Sequence, residues 1–236
     1  MRLDIYLVNK GVLPTRSKAK QIIESGGVCV NSKTITKPAF DVSDEDVIEV
    51  KDTLKYVSRG GLKLEFAMNA FSVDAKGKKC LDVGASTGGF TDCLIKGGAE
   101  SVLAVDVGKD QLHPSLKNHP RVVSMEETDI RKLNINETFD LITVDVSFIS
   151  LVHILKHIQR LLSKNGECVV LIKPQFEVGK GNTKKGIVRD EGLIRKAIER
   201  VKSSAQSCGF TIGGIVESPI KGKDGNREFL MHLKHG

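Results

Sequence analysis

From residue 80 onward, short apolar runs alternate with stretches in which apolar residues recur every three or four positions. The short runs are typical of buried strands, and the wider spacing is typical of helices. We predict strands in CLDVG, VLAVDV, RVVSM, FDLITVDV and ECVVLIK, and helices in FTDCLIKGG, ISLVHILKHIQRLL and LIRKAIERVKSSAQ. This alternation predicts a mostly parallel sheet with helices on both faces. Two later strand-like runs, FTIGGIV and REFLMHL, are too close for a helical crossover, so we expect them to pair antiparallel.

The amino-terminal part of the chain predicts a small α+β domain. A first helix is expected over residues 3–10, and a second begins after a cap at Thr15 or Ser17. The run VCVNSKTI then predicts a hairpin that turns at Asn31 and Ser32.

The run VKDTLKYVSRGG has little periodicity and separates the two patterns. We therefore predict domains over residues 1–54 and 61–236, joined by a linker over residues 55–60. A further helix is expected to follow the linker, with Lys63 placed beside an apolar stripe that consists of Leu62, Phe66 and Ala70.

Charge is unevenly distributed along the chain of 236 residues, whose net charge is +7. Residues 1–37 hold seven Lys or Arg against two acidic residues, which favours a basic face for an anionic partner. A solvated helix face is the alternative explanation. The five scattered cysteines form no CxxC pair, so neither a disulfide framework nor a metal site is indicated. No leader pattern and no apolar run of about 18 residues is found, and we expect a cytoplasmic protein without a membrane partner.

Polar residues follow several of the predicted strands. In an open parallel sheet, ligands bind outside the carboxyl ends of the strands. Asp106, Asp145 and Lys173 each stand at such an end, and Glu228 stands near the beginning of the last, antiparallel strand. These four side chains are therefore expected along one edge of the sheet.

A glycine-rich loop follows the first strand of the larger domain. Gly84, Gly88 and Gly89 permit a sharp turn and a close approach to a ligand, and Asp106 is placed to accept hydrogen bonds from ribose hydroxyls. The GxxxGG spacing fits neither the dinucleotide nor the P-loop motif, and a purely structural turn is the alternative. The LDVG opening with an acid at the next strand end favours S-adenosylmethionine, which has an adenosine but no pyrophosphate.

The stretch RLDIYLVNKGVLPTRSKAKQIIESGGVCVN resembles the alpha-L RNA-binding motif of a small-subunit ribosomal protein, pseudouridine synthases and tyrosyl-tRNA synthetases. The resemblance implies an RNA-facing surface. A basic loop over residues 180–190 is a further candidate for RNA contact. The residues expected to face RNA are Arg2, Arg16, Ser17, Lys18 and Lys20, together with Lys184 and Lys185 of the loop.

Nearly the whole chain resembles the TlyA family of ribosomal RNA ribose methyltransferases, which is itself similar to the FtsJ type. The resemblance rests on five motifs in order: YVSRGGLKLEFAM, LDVGASTGGFTDCLI, VDVSFIS, LIKPQFEVGK and NREFL. The resemblance implies a Rossmann-like, S-adenosylmethionine-dependent methyltransferase domain. It implies a catalytic tetrad of Lys63, Asp145, Lys173 and Glu228. The cofactor contacts that we expect are Asp82, Gly84, Ala85, Ser86, Thr87, Gly88, Gly89, Phe90, Asp106, Val107, Asp129 and Ile130.

The tetrad suggests a division of labour in methyl transfer to a ribose 2′-hydroxyl. Alignment of the reacting atoms supplies much of the acceleration, but a base must still remove the hydroxyl proton. We hypothesise that Lys173 takes the proton, that Asp145 orients it, and that Lys63 and Glu228 position the ribose. A strand-end lysine is otherwise usually a surface residue with its ammonium group in water.

Two other functions are compatible with the same sequence. One is a catalytically inactive RNA-binding or ribosome assembly factor, and the other is a membrane-active haemolysin. The family resemblance favours cytidines of ribosomal RNA or ribosomal subunits as the target. The pattern of residues predicts neither the modified nucleotide nor the oligomeric state.

Overall fold

The computed structural model describes residues 1–24, 26–50, 55–179, 181–184, 186–222 and 224–236, without the side chain of Gln21. The chain forms two compact units, Met1–Arg59 and Gly60–Gly236. Residues 51–54, at the predicted domain boundary, lie outside the described residues, and the predicted domain limits stay predictions.

The smaller unit contains two helices and a three-stranded antiparallel sheet. Its elements are α1 (Leu3–Asn9), α2 (Arg16–Glu24), β1 (Val28–Val30), β2 (Lys33–Ile35) and β3 (Ile48–Val50), with the strand order β2-β1-β3. The Thr15 hydroxyl accepts a hydrogen bond from the Lys18 backbone N–H and so caps α2 as predicted. Asn31 and Ser32 have φ angles of 48° and 65°, which makes the predicted hairpin turn. The third strand was not predicted.

The larger unit is built on a seven-stranded sheet with the order β6-β5-β4-β7-β8-β10-β9. Its strands are β4 (Lys79–Val83), β5 (Ser101–Val105), β6 (Val122–Met125), β7 (Phe139–Val144), β8 (Leu162–Ile172), β9 (Phe210–Glu217) and β10 (Phe229–His235). The strands from β6 to β8 pair in parallel, while β10 runs antiparallel to β8 and β9. The predicted sheet, including its single reversed strand, is confirmed.

Helices pack on this sheet around a continuous apolar core. They are α3 (Gly60–Phe71), α4 (Gly89–Lys96), α5 (Pro114–Lys117), α6 (Leu155–Leu161), α7 (Pro174–Glu177) and α8 (Glu191–Ser207), with 3₁₀ helices at Ile130–Lys132 and Leu151–His153. Helix α3 packs on α4, and α8 packs on α6 and on the second 3₁₀ helix. No helix in the described part of the chain is long and apolar enough to cross a membrane.

The buried face of α3 differs from the prediction. Leu64 and Ala67 are fully buried, whereas Phe66 is 37% exposed and Ala70 is exposed. The predicted stripe of Leu62, Phe66 and Ala70 was wrong. The inward face includes Lys63 and is offset by one position from that stripe. A lysine on the inward face needs a buried partner, and that partner is found in the candidate site.

The predicted helix over ISLVHILKHIQRLL is also corrected. It divides into the 3₁₀ helix Leu151–His153 and α6, and Leu162 already belongs to β8. Ser150 caps the 3₁₀ helix through the Val152 backbone N–H, which separates the two short helices from the loop that follows β7.

Candidate active site

The carboxyl edge of the parallel strands collects the polar residues that were predicted there. Asp106 follows β5, Asp145 follows β7 and Lys173 follows β8, while Glu228 directly precedes the antiparallel β10. Parallel strands present their carboxyl ends together, and a reversed strand contributes its beginning to the same edge. The topology therefore brings these residues to one edge of the sheet.

Lys63 and Glu228 form a buried ion pair. The Lys63 Nζ donates to Glu228 Oε2 at 2.5 Å, and their side chains are 11% and 3% exposed. The two residues are 165 positions apart in the chain and meet because α3 packs against β10. An added Cβ at Gly222 would collide with Glu228 Oε1, so the backbone at Gly222 closes over the carboxylate.

Lys173 and Asp145 form a second pair with a different geometry. The Lys173 Nζ lies 2.6 Å from Asp145 Oδ1, yet this buried oxygen accepts no hydrogen bond from any described residue. The ammonium group instead donates to the Ser147 hydroxyl at 2.9 Å. The contact with Asp145 is thus a close charge pair, and the hydrogen bond of the ammonium group goes to Ser147.

Strand register places the two pairs next to each other. Phe229 on β10 is paired with Ile172 on β8, so the residue before Phe229, which is Glu228, neighbours the residue after Ile172, which is Lys173. Residues opposite each other on adjacent strands project to the same face. All four predicted tetrad residues are therefore gathered at one edge as two lysine–carboxylate pairs.

A cavity of about 600 Å³ opens at the same edge. Asp145 lines it, as do residues of the loops that follow β4, β5 and β7. Of the predicted cofactor contacts, the cavity is lined by Gly84, Ser86, Asp106, Val107, Asp129 and Ile130. The others, Asp82, Ala85, Thr87, Gly88, Gly89 and Phe90, are not among its lining residues.

Packing explains why the second half of the glycine loop turns away from the cavity. Gly88 has a φ of 95°, and a Cβ there would collide with the side chains of Leu112 and Leu116. Phe90 is only 3% exposed on α4. These positions serve the packing of α4, whereas Gly84, with a φ of 81°, approaches the backbone carbonyl of Asp145 so closely that a Cβ would collide with it.

Asp82 is a buried structural carboxylate. It is fully buried on β4 and accepts hydrogen bonds from the hydroxyls of Thr91 at 2.6 Å and Thr143 at 2.9 Å. Burial raises the pKa of Asp82 to about 6, although both hydroxyl bonds favour the ionised form. A direct cofactor contact by this side chain does not agree with its position.

Asp106 and Asp129 both face the cavity but already have partners. Asp106 accepts from the backbone N–H groups of Ser86 and Gly108, which ties the glycine loop to the end of β5. Asp129 receives hydrogen bonds from the Arg131 guanidinium, which lowers the pKa of Asp129 to about 2 and keeps it ionised. Each carboxylate oxygen has two lone pairs, so further donors can be accepted.

Several cavity residues were not found from the sequence. Ser147 and Phe148 belong to the quoted motif VDVSFIS but gave no separate signal, since their positions depend on the conformation of the loop. Phe148 has a φ of 66° and is 92% exposed, and its ring centroid lies 5.2 Å from that of Phe176. Gln111, Thr128 and Arg131 complete the polar lining.

The smaller unit exposes part of its predicted RNA surface directly. Ser17, Lys18 and Lys20 are exposed along α2. The Arg2 and Arg16 side chains are 42% and 51% exposed, and both donate to Asp4. The Asp4 side chain is fully buried, and these hydrogen bonds lower its pKa to about 2.

The basic loop of the larger unit is anchored at one end. Lys184 is exposed and its backbone bridges to Ile187, while Lys185 lies outside the described residues. The buried Asn226 accepts from the Val188 backbone N–H and donates to the Gly186 carbonyl. Because Asn226 stands two residues before Glu228, the loop is attached close to the lysine–carboxylate pairs.

The strand order, the glycine loop and the acid after β5 define the fold class of S-adenosylmethionine-dependent methyltransferases. In agreement, an S-adenosylmethionine-dependent methyltransferase from Mesorhizobium loti superposes with a TM-score of 0.55 at 15% identity, covering 72% of this chain and 96% of that one. The family model of FtsJ-like methyltransferases matches residues 56–235, and that of the S4 domain matches residues 1–48. The chain belongs to the FtsJ-like methyltransferases that carry an S4 domain, the TlyA family.

Two curated relatives span almost the whole chain. The "16S/23S rRNA (cytidine-2'-O)-methyltransferase TlyA" of Mycobacterium tuberculosis is 41% identical over 99% of this chain and 89% of its own length. "Hemolysin A" of Brachyspira hyodysenteriae is 46% identical over 99% of both chains. The two names describe different activities within one family.

Proposed function

We propose that this protein transfers a methyl group from S-adenosylmethionine to the ribose 2′-hydroxyl of a cytidine in ribosomal RNA. The observation that carries the proposal is the meeting of two lysine–carboxylate pairs beside a cavity at the carboxyl edge of the sheet. The name of the TlyA relative from Mycobacterium tuberculosis supplies the substrate class.

The chemistry of the cavity fits S-adenosylmethionine. A volume of about 600 Å³ is within the range usual for small-molecule sites. Asp106 would accept the ribose hydroxyls of the adenosine, and Val107 and Ile130 would contact its purine ring. Gly84 brings backbone rather than a side chain to the cavity wall. The bound cofactor would supply an electrophilic methyl group on a sulfonium sulfur.

The two lysine–carboxylate pairs divide the remaining work between them. Lys173, as a neutral amine, would accept the proton of the 2′-hydroxyl and become an ammonium group beside the Asp145 carboxylate. Lys63 and Glu228 are largely shielded from water and tied to each other, so they would form a rigid surface that positions the target ribose. The base must lie within hydrogen-bond distance of the 2′-hydroxyl. The pair that positions the ribose would align this hydroxyl with the methyl group of the cofactor.

RNA would be bound mainly through electrostatic contacts between basic side chains and its phosphates. The exposed Lys18 and Lys20 on α2 supply phosphate contacts, which position RNA without reading its sequence. Arg2 and Arg16 would contribute as a pair fixed by Asp4. On the larger unit, the exposed Lys184 stands on the loop anchored by Asn226.

The proposal is tested with purified protein and ribosomal subunits from cells that lack it. Each subunit is incubated separately with S-adenosylmethionine, and ribose methylation is mapped along its RNA by reverse transcription. We expect a new 2′-O-methyl group at a cytidine in at least one subunit. Absence of ribose methylation in both subunits and in free ribosomal RNA would contradict the proposal. Dye release from liposomes by the same protein tests the activity named for the haemolysin relative.

A further inference from the structure

The hydroxyl of Ser147 holds the ammonium group of Lys173. The Lys173 Nζ donates to Ser147 Oγ at 2.9 Å, whereas its 2.6 Å approach to Asp145 Oδ1 is not a directed hydrogen bond. The serine hydroxyl is therefore the group that accepts a hydrogen bond from the amine. Asp145 contributes its charge but not this directed bond.

A hydroxyl and a carboxylate affect an amine differently. An ionised carboxylate only accepts hydrogen bonds and so favours the ammonium form. A hydroxyl accepts from an ammonium group and donates to the lone pair of a neutral amine. Ser147 is thus the neighbour that can keep the same contact with Lys173 before and after the amine loses its proton.

The loop that carries Ser147 is anchored just after this residue, at Ser150 and Leu151, by a buried carboxylate. Glu177 is 2% exposed and accepts from the Ser150 hydroxyl and from the Leu151 backbone N–H. Glu177 ends α7, which begins immediately after Lys173. The segment 173–177 is consequently linked to the loop that carries Ser147 at two points, through Lys173 and through Glu177, which are four residues apart.

We propose that Ser147 is a positioning residue that orients the Lys173 amine toward the substrate hydroxyl and keeps it oriented when the amine is neutral. This inference rests on the proposed function, because it assigns Lys173 the role of base. It adds a polar group to the site beyond the four members of the tetrad.

Kinetics of three variants test the proposal. Ser147→Ala removes the hydroxyl and Ser147→Thr keeps it. Ser163→Ala is a matched control, because its hydroxyl donates to Asp140 near the start of β7, away from the carboxyl end of the strand. We expect Ser147→Ala to lower kcat by about 10- to 100-fold, the range for loss of a hydrogen bond to a charged group. The KM for S-adenosylmethionine is expected to stay within about threefold, because the bond acts on the lysine. Ser147→Thr should restore most of kcat, and Ser163→Ala should match the wild type.

Two kinetic results would overturn the inference. One is a Ser147→Ala variant with wild-type kcat, and the other is a variant whose loss lies in the KM for S-adenosylmethionine with kcat unchanged. The second result would assign the hydroxyl to the cofactor instead of the lysine.

A spectroscopic measurement separates this inference from the proposed function. Proteins labelled with ¹⁵N-lysine are compared at about pH 6, where lysine side chains are ordinarily protonated, and the Lys173 resonance is identified by its absence from Lys173→Ala. We expect a resolved, hydrogen-bonded ammonium signal in the wild type and in Ser147→Thr, and its loss in Ser147→Ala. An unchanged signal in Ser147→Ala overturns the positioning role even if the wild type methylates RNA. A wild type that shows the expected signals but does not methylate RNA contradicts the proposed function alone.

Discussion

Two buried carboxylates, Asp82 and Asp4, have partners of different kinds, and their pKa values shift in opposite directions. Asp82 is surrounded by the hydroxyls of Thr91 and Thr143, and burial raises its pKa to about 6. Asp4 is equally buried but receives two guanidinium groups, which lower its pKa to about 2. The hydroxyl partners of Asp82 do not offset the cost of its buried charge, whereas the guanidinium partners of Asp4 do.

Replacing Asp82 by Asn should change the pH dependence of stability. The pKa of Asp82 in the folded protein lies above its ordinary value of 3.8, so the folded state binds an extra proton between about pH 4 and pH 6. The stability from that proton is fully present below about pH 4 and is lost as the pH rises through 6. Relative to the wild type, Asp82→Asn should gain about 3 kcal/mol of unfolding free energy from pH 4 to pH 7.

Urea unfolding at several pH values measures this gain. The exposed Asp74, whose carboxylate accepts from the Lys76 backbone N–H, provides the matched control Asp74→Asn. Its unfolding free energy should follow the wild type across the range. Parallel curves for Asp82→Asn and the wild type would show that Asp82 carries no such pH dependence.

Asp4→Asn should weaken RNA binding even though it makes the chain more positive. The carboxylate fixes Arg2 and Arg16, and freed arginines must lose side-chain entropy when they bind phosphate. We expect about a 3- to 10-fold loss of affinity for ribosomal RNA in filter binding at fixed salt. Asp44→Asn, which removes an exposed partner of Lys10, adds the same charge and should bind at least as tightly as the wild type. Asp4→Asn binding as tightly as Asp44→Asn would refute the role of Asp4.

At the scale of elements, the ends of strands were more predictable than the faces of helices. The parallel pattern alone placed Asp106, Asp145 and Lys173 on one edge, because topology determines where strand ends meet. The inward face of α3 was mispredicted, since periodicity treats Lys63 as a solvent residue. Its burial depends on Glu228, which is distant in sequence, and no local pattern contains that information.

The contact between the β4 loop and the end of β7 should tolerate no side chain at Gly84. In Gly84→Ala the new methyl group collides with the Asp145 carbonyl and adds to the strain of a positive φ. Gly77→Ala is the matched control, because Gly77 also has a positive φ but an added Cβ there would meet no atom within 4 Å. We expect Gly77→Ala to cost about 1 kcal/mol of unfolding free energy, and Gly84→Ala to cost about 2 to 4 kcal/mol. Equal costs in urea unfolding would mean that the collision relaxes freely.

At the scale of the whole molecule, the sequence revealed both units and the family, but not the conformations that complete the site. The contact of Ser147 with Lys173 and the contact of Glu177 with Leu151 join parts of the chain far apart in sequence. The exposed ring of Phe148 likewise follows from a left-handed backbone that is rare for phenylalanine. Only the folded chain shows these features, because each arises from contacts between separate elements.

Single-turnover methyl transfer by Lys173→Ala is the most direct test of the central claim that the lysine–carboxylate pairs carry out the chemistry beside the cavity. The measurement is made on ribosomal RNA, with the affinity for S-adenosylmethionine determined by calorimetry on the same preparation. We predict that the rate falls by at least about 100-fold, as expected for loss of a general base, while the Kd for the cofactor stays within about threefold. Transfer at the wild-type rate by Lys173→Ala would contradict the account.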